Sequence, residues 1–209
     1  MKRLVLALAL CTPLLAAAET AGELFTGGDA ANGEKIAGSC VACHGPQGVS
    51  GNPEWPSLAQ QNARFTYEQL KAFKSGERKN VLMSPQAAGL SDQDMRDMAA
   101  YFAQQTYKPG VASEDAVKIA EPIYRAGDPE RGIVGCAGCH APNGVGNPAS
   151  GYPKVAGQHA TYSAQRLRAY RAGDGIDTTS GKIMVEIAAK LTDEEIDALA
   201  SYLNGLQIQ

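Results

Sequence analysis

Two copies of the pattern Cys-x-x-Cys-His limit what this chain of 209 residues can fold into more than any other feature. The copies consist of Cys40, Cys43 and His44, and of Cys136, Cys139 and His140. Two thiols at this spacing can form thioethers with the two vinyl groups on one side of a porphyrin, and the next histidine can then bind the iron. The sequence therefore predicts two covalently bound haem c groups, with His44 and His140 as iron ligands.

Three other uses of paired cysteines compete with haem attachment. A zinc ribbon has closely spaced pairs, whereas these pairs lie 96 residues apart, and zinc does not explain a histidine after both. A thioredoxin-like dithiol follows a strand and leads into a helix, whereas glycine-rich sequence surrounds both pairs. A disulfide is the usual state of exported cysteines, but a bridge within either pair would close too short a loop to stabilise the fold much.

The two motifs belong to an internal repeat. Residues 55–59 (Trp-Pro-Ser-Leu-Ala) recur 97 positions later at 152–156 (Tyr-Pro-Lys-Val-Ala). Residues 90–92 (Leu-Ser-Asp) recur 101 positions later at 191–193 (Leu-Thr-Asp). A segment with Pro-Gly and short polar residues separates the two copies, as a linker does. The predicted units are an N-terminal domain at residues 19–105, a linker at 106–115 and a C-terminal domain at 116–209.

Each repeat has the pattern of a small helical domain, and no segment alternates like a strand for long. The last helix of each repeat is the clearest, because Ser91-x-x-Asp94 and Thr192-x-x-Glu195 are capping-box patterns followed by apolar residues at helical spacing. The other predicted helices lie around residues 33–40, 67–74, 116–125 and 162–171. The sequence thus predicts an all-α protein in which buried porphyrins complete thin apolar cores.

The second axial ligand decides whether a haem carries electrons or reacts with small molecules. A methionine in this place fills the last coordination position of the iron, so that no small molecule can bind there. Met83 and Met184 are the only methionines that match each other across the repeat, and we expect both in the loop before the last helix. Met95 and Met98 match an isoleucine and a leucine in the second half, which cannot ligate iron. We therefore expect Met95 and Met98 to fill the core.

Two prolines and one further histidine are candidates for roles near the haems. A proximal histidine usually donates from its second ring nitrogen to an acceptor. Pro56 and Pro153 lie 12 and 13 residues after their histidines and could accept through their backbone carbonyls; the alternative is that each stiffens its loop. His159 aligns with Asn62, and we expect a surface or hydrogen-bonding role for it rather than iron ligation.

The first 18 residues have the pattern of a signal peptide. A basic start precedes an apolar run of about 15 residues that ends in three alanines at positions 16–18. The run is shorter than the roughly 20 residues of a spanning helix, which disfavours a membrane anchor. Leu10 is bulky where lipid attachment at Cys11 would need a small residue. We expect cleavage after Ala18 and export to the periplasm.

Composition excludes one class of partner. The chain has 19 basic and 22 acidic residues, and its net charge is −3. It therefore lacks the basic surface of a nucleic-acid binder, and no nucleic acid is expected as a partner.

Each half resembles a small class I cytochrome c, and the tandem arrangement resembles the dihaem cytochrome c4 family over residues 24–206. The resemblance implies two haem domains related by a pseudo-twofold axis. It also implies the axial pairs His44 with Met83 and His140 with Met184. The chain departs from the family at Gln60, where glycine is usual and where the second half has Gly157.

The resemblance also implies electron transfer in the bacterial periplasm. The donor would be a quinol-oxidising complex or a dehydrogenase, and the acceptor a terminal haem-copper oxidase. Two six-coordinate haems leave no site for a substrate, so a carrier is expected rather than an enzyme. The alternatives are an electron-accepting subunit of a periplasmic dehydrogenase and a dihaem redox enzyme, and peripheral membrane attachment is an alternative to free diffusion.

The two haem environments differ in sequence. Met83 is followed by Ser-Pro-Gln, whereas Met184 is followed by Val-Glu-Ile. Because surroundings as well as ligands set the potential of a haem, we expect the two haems to have unequal reduction potentials.

Overall fold

The computed structural model describes residues 25–174 and 178–207, and the predicted signal peptide at residues 1–18 lies outside them. The helices are α1 (Ala30–Ile36), α2 (Gly38–His44), α3 (Ala63–Ser75), α4 (Met83–Ala88), α5 (Asp92–Ala103), α6 (Glu114–Ala126), α7 (Ala137–His140), α8 (Ala160–Arg171), α9 (Thr179–Ala188) and α10 (Asp193–Gly205). A 3-10 turn, Pro46–Gly48, follows α2. Strands β1 (Gly127–Asp128) and β2 (Ile133–Val134) form one short antiparallel hairpin. Within the described ranges, no helix has the length and apolarity needed to cross a membrane.

In the N-terminal half, α1 and α3 both pack against α5. A Cβ atom at Gly33 of α1 would lie 2.1 Å from the carbonyl oxygen of Asp97, so the crossing of α1 and α5 requires glycine. The Asp97 side chain is also buried at this crossing. It accepts hydrogen bonds from Asp29 N, Asn32 Nδ2 and Gln93 Nε2. These bonds hold the pKa of the Asp97 carboxyl below its usual value, and the bond from the Asp29 amide has the largest effect.

In the C-terminal half, α6 and α8 pack against α10. The buried apolar residues form one cluster, which includes Ala120, Ile123, Tyr124, Ile133, Leu191, Ile196, Leu199 and Leu203. The core of the N-terminal half is instead divided into two clusters, one around Met98 and Phe102 and one around Tyr67 and Met95. Met95 and Met98 thus fill the core, as predicted from the sequence.

The last helix of each half begins at the predicted cap. Ser91 Oγ accepts from Asp94 N, and Thr192 Oγ1 accepts from Glu195 N, with the reciprocal acidic side chain bonded to the cap in both cases. The predicted capping boxes are therefore confirmed, and so is the all-α class, apart from the short hairpin.

Two other predicted boundaries are corrected. The first helix of the N-terminal half is not continuous over 33–40, because the chain breaks at Ala37 between α1 and α2. Gly38, a residue of low helix propensity, follows the break. In the second half, α6 begins at Glu114, two residues before the predicted start of this helix at residue 116, and its N-cap is Ser113.

Candidate functional site

Each Cys-x-x-Cys-His motif folds as a helical segment that ends at its histidine. Helix α2 ends at His44, and α7 ends at His140. The next residue has a positive φ in both halves, 75° at Gly45 and 65° at Ala141, which turns the chain away from the helix. Because residues three apart in a helix lie on the same face, the two cysteines of a pair can reach one ligand.

The two histidines make the same hydrogen bond. His44 Nδ1 lies 2.8 Å from the carbonyl oxygen of Pro56, and His140 Nδ1 lies 3.0 Å from that of Pro153. Since a carbonyl only accepts, Nδ1 is the donor in each ring and Nε2 keeps its lone pair for a metal. Burial lowers the pKa of both imidazoles, which favours the neutral form that ligates iron.

None of the four motif cysteines is joined to another cysteine in a disulfide. Burial raises the pKa of Cys40, and it raises that of Cys136 to about 11. Cys40 Sγ also donates to Met98 Sδ at 3.7 Å. Among residues 25–174 and 178–207, no group of three or more histidine, cysteine or acidic side chains is placed to hold a metal ion.

A cavity of about 560 Å³ opens beside the second motif. Cys136, Cys139, His140 and Met184 all line it, together with apolar side chains of the C-terminal core. Residues of the N-terminal half, among them Phe65, Gln69 and Arg78, form part of its wall. A cavity that combines two thiols, an imidazole and a thioether with apolar walls fits a porphyrin joined to Cys136 and Cys139.

Met83 and Met184 both lie in helices, so the prediction of a loop for them is wrong. Met83 is the first residue of α4, whereas Met184 lies in the middle of α9. The Asn80 side chain starts α4, because its Oδ1 accepts from the backbone N–H groups of Leu82 and Met83, each at 2.9 Å. Both methionines are half-buried, and Met184 lines the cavity with His140.

Known proteins match the chain over both halves. The model of the family "Cytochrome c" matches residues 30–106 and again residues 133–207. The chain is 42% identical to cytochrome c4 of Pseudomonas aeruginosa over 185 residues, which are 88% of this chain and 92% of that protein. The chain belongs to the cytochrome c4 family.

A solved structure agrees with this membership. The crystal structure of reduced recombinant cytochrome c4 from Pseudomonas stutzeri matches with a TM-score of 0.81 at 41% identity, over 86% of this chain and 100% of that chain. As a cytochrome c4, the chain carries two covalently bound haem c groups and transfers electrons. The predicted family, fold and cofactors are confirmed.

A second kind of relative has a more specific name. The thiosulfate dehydrogenase electron acceptor of Stutzerimonas stutzeri is 35% identical over 186 residues, which are 83% of this chain and 85% of that protein.

Two glutamines of this cytochrome c4 cross between the domains in a reciprocal way. Gln61 Oε1 accepts from Lys154 N at 2.8 Å, and its Nε2 donates to Lys154 O at 2.9 Å. Gln158 Oε1 accepts from Ser57 N at 2.9 Å, and its Nε2 donates to Ser57 O at 2.9 Å. In both cases the residue that is held directly follows the proline bonded to the motif histidine. Each domain therefore fixes the peptide that orients the imidazole of the other domain.

The next residue of each repeat adds a further bond between the domains. Asn62 Nδ2 donates to Tyr152 O at 2.6 Å. His159 Nε2 lies 2.9 Å from Ser50 O and donates to it, because the carbonyl can only accept. His159 is thus the hydrogen-bonding residue that its alignment with Asn62 predicts, and its Nε2 is occupied by this bond.

The departure at Gln60 leaves the loop geometry unchanged. Gln60 has a φ of 59° and Gly157 a φ of 74°. The amide of Gln60 donates to Phe102 O at 2.9 Å, and that of Gly157 donates to Leu203 O at 2.8 Å. Glutamine therefore occupies the left-handed backbone region that favours glycine. Its Oε1 is buried with no hydrogen-bond partner within the described residues.

Sequence reasoning missed three residues of this interface. Gln61 and Gln158 could have been found, because they match across the repeat at an offset of 97. Lys154 gives no such signal, because the matching residue is Ser57. Its burial becomes evident only when the two halves are seen together.

Proposed function

We propose that the chain is a periplasmic electron carrier in which one histidine and one methionine ligate each iron, His44 with Met83 and His140 with Met184. The observation that carries the proposal is the repeated hydrogen bond from Nδ1 to a proline carbonyl. This bond fixes the tautomer that offers Nε2 to a metal in both halves. The position of Met184 in the wall of the cavity supports the second pair.

Each part of the site then has one task. The four cysteines, Cys40, Cys43, Cys136 and Cys139, hold the porphyrins covalently, and the carbonyls of Pro56 and Pro153 keep the imidazoles oriented. When bound, each haem supplies a one-electron couple between ferric and ferrous iron. The thioethers of Met83 and Met184 fill the last coordination position. Since neither iron is left open, we propose that the chain carries electrons without catalysing a reaction of its own.

The arrangement of the domains supports a relay between the two haems. Side chains of the N-terminal half form part of the wall of the second cavity, and the reciprocal glutamine bonds hold the halves together. We propose a signal peptide at residues 1–18, haem domains at 19–105 and 116–209, and a connecting segment at 106–115. Mass spectrometry of the exported protein tests the first boundary, with an N-terminus at Glu19 expected.

The partners are proposed from chemistry and from the relatives. We propose a quinol-oxidising complex or a dehydrogenase as the donor, and a terminal haem-copper oxidase as the acceptor. The relative named as an electron acceptor of thiosulfate dehydrogenase favours a second candidate, an electron-accepting subunit of a periplasmic dehydrogenase. Copurification of a dehydrogenase with the exported cytochrome would favour the subunit. Reduction of the free cytochrome by a purified quinol-oxidising complex would favour the shuttle.

The ligand assignment is tested with variants of the holoprotein. Met83→His and Met184→His should each remove about half of the methionine-to-ferric-iron absorption, because one of two equivalent ligands is lost. Met98→Leu is the matched control, since Met98 is a buried methionine of the core and its counterpart is Leu199. The assignment is wrong if either histidine variant keeps the full band, or if Met98→Leu loses it.

A further inference from the structure

Lys154 is a lysine fixed in a buried position between the two domains. It is 8% exposed, and both its backbone N–H and its backbone carbonyl are bonded to the side chain of Gln61. Its Nζ lies 5.0 Å from the ring centroid of Tyr107, which belongs to the predicted linker. The main chain of Lys154 is therefore held by one domain, and its charged end lies against the connecting segment.

The Lys154 ammonium lacks an anionic partner among residues 25–174 and 178–207. In the part of the chain that the structure describes, no carboxylate lies within ion-pair distance of its Nζ. Burial lowers its pKa to about 8, which leaves most of it charged at neutral pH. An isolated buried cation is unfavourable unless an anion or strong acceptors compensate it.

The place of Lys154 in the fold identifies the anion. Lys154 lines the same cavity as Cys136, Cys139 and His140. A haem c joined to these cysteines carries two propionate carboxylates on its porphyrin edge. These carboxylates are the anions that this cofactor, when bound, would bring to the cavity.

Other cations that line the cavity are less suited to this role. Arg78 already donates to Gln69 Oε1 at 2.6 Å and to Tyr162 Oη at 3.2 Å. Its guanidinium also lies 4.5 Å from the ring centroid of Phe73. Lys71 is exposed to solvent. Arg166 is only half-buried, and its guanidinium lies 4.8 Å from the ring centroid of Tyr170. Lys154 combines burial with the lack of a carboxylate partner among the described residues.

The N-terminal half has no equivalent charge at this position. Ser57 occupies the matching place after its proline and is 5% exposed. Its Oγ accepts from Ser50 N at 3.2 Å, so it is satisfied by a neutral bond within its own domain. The haem-binding chemistry of the two halves is repeated, but this cation is not.

We propose that the Lys154 ammonium neutralises a propionate of the haem in the C-terminal domain and raises the reduction potential of that haem relative to the other. A positive charge near a haem favours the ferrous state, because reduction lowers the positive charge on the iron. The proposal rests on the haem arrangement under Proposed function, with His140 and Met184 as the ligands of that iron.

The test compares redox titrations of holoprotein variants in which the two haems are resolved. Lys154→Met should favour the ferric state of the C-terminal haem by about tenfold, or about 59 mV for a one-electron couple. The N-terminal haem should change by less than about threefold. Lys154→Arg keeps the charge and should stay close to the unmodified protein. Lys118→Met is the control, because it removes an exposed lysine of the same domain.

A second measurement reads the carboxylate directly. The infrared difference spectrum between oxidised and reduced protein should show a shifted propionate band in Lys154→Met and no shift in Lys118→Met. Lys154→Gln, which keeps a polar side chain, replaces Lys154→Met if the latter binds fewer than two haems. The proposal is overturned if the uncharged variant leaves the C-terminal potential unchanged, or moves both potentials equally. Haem content and the methionine-to-iron band, measured on the same samples, report separately on the ligand assignment.

Discussion

In the N-terminal half the first and last helices meet over the buried carboxylate of Asp97, whereas in the C-terminal half the matching position is Ala198 within one continuous apolar cluster. The residue after the proline that accepts from the motif histidine also differs between the halves. It is Ser57 in the N-terminal half and Lys154 in the C-terminal half. The bond from the motif histidine to the proline carbonyl is, by contrast, nearly identical in the two halves.

The comparison shows which parts of the repeat are tied to the iron. The groups that orient the imidazoles recur, together with the glutamines that cross between the domains. The charged residues do not recur: Lys154 beside the second haem motif matches Ser57, and Asp97 in the helix crossing matches Ala198. With the ligands proposed above, two haems of the same ligation thus lie in different electrostatic surroundings, which supports the expectation of unequal reduction potentials.

The largest effect should come from the helix crossing of the N-terminal half. Gly33→Ala places a Cβ atom 2.1 Å from the Asp97 carbonyl oxygen, and so α1 must move away from α5. We expect a loss of about 3 kcal/mol in the free energy of unfolding of the holoprotein, measured by denaturant titration. Gly38→Ala is the control, because nothing lies within 4 Å of a Cβ there. Equal stability of the two variants would show that the crossing is not rigid.

The interface glutamines give the next largest effect. Gln61→Leu leaves the buried N–H and carbonyl of Lys154 without their partners, which should cost about 2–3 kcal/mol. Gln158→Leu should cost less, about 1–2 kcal/mol, because Gln158 is only half-buried. Thermal unfolding measures both, with the exposed Gln165→Leu as control. A loss from Gln158→Leu as large as that from Gln61→Leu would contradict the difference in burial.

A smaller effect, of opposite sign, is expected at the loop before α3. Gln60→Gly removes a non-glycine residue from a φ of 59° and removes an unpaired buried oxygen. The free energy of unfolding should rise by about 1 kcal/mol. The matching change in the other half, Gly157→Ala, should be destabilising, because its Cβ would lie 2.6 Å from the Tyr107 ring. A loss of stability in Gln60→Gly would mean that the glutamine side chain has a stabilising role.

The smallest effect is the pH dependence that Asp97 contributes in the N-terminal half. Hydrogen bonds hold the pKa of Asp97 below its usual value. The Asp97 contribution to stability is therefore present above about pH 4, the pKa of an unfolded aspartate, and is lost as the pH falls through the folded pKa. Asp97→Asn should show a weaker loss of stability on acidification. Denaturant unfolding between about pH 7 and pH 3 measures this, and an acid dependence of Asp97→Asn equal to that of the unmodified protein would contradict it.

The sequence predicts those parts of the molecule that depend on local patterns. The haem motifs and the capping boxes at Ser91 and Thr192 follow from residues a few positions apart, and the repeat follows from the recurrence of such local patterns. The helical start at Met83 was not predictable from hydrophobic spacing, because the side chain of Asn80 creates it. The break at Ala37 was missed because no proline separates the preceding helix from the cysteine motif.

The interface between the domains could not be predicted from periodicity. Its bonds join residues far apart in the chain, such as Gln61 with Lys154 and Gln158 with Ser57. A buried lysine resembles a surface lysine in the sequence, and its burial depends on the docking of the other domain. The matching of the two glutamines across the repeat was the only local sign of this contact.

The most direct test of the account is the reaction of the native holoprotein with carbon monoxide after its haem content has been measured. The account predicts two covalently bound haems per chain, neither of which binds carbon monoxide in the ferrous state, because Met83 and Met184 complete the coordination. Fewer than two haems, or ready binding of carbon monoxide at either iron, would contradict it.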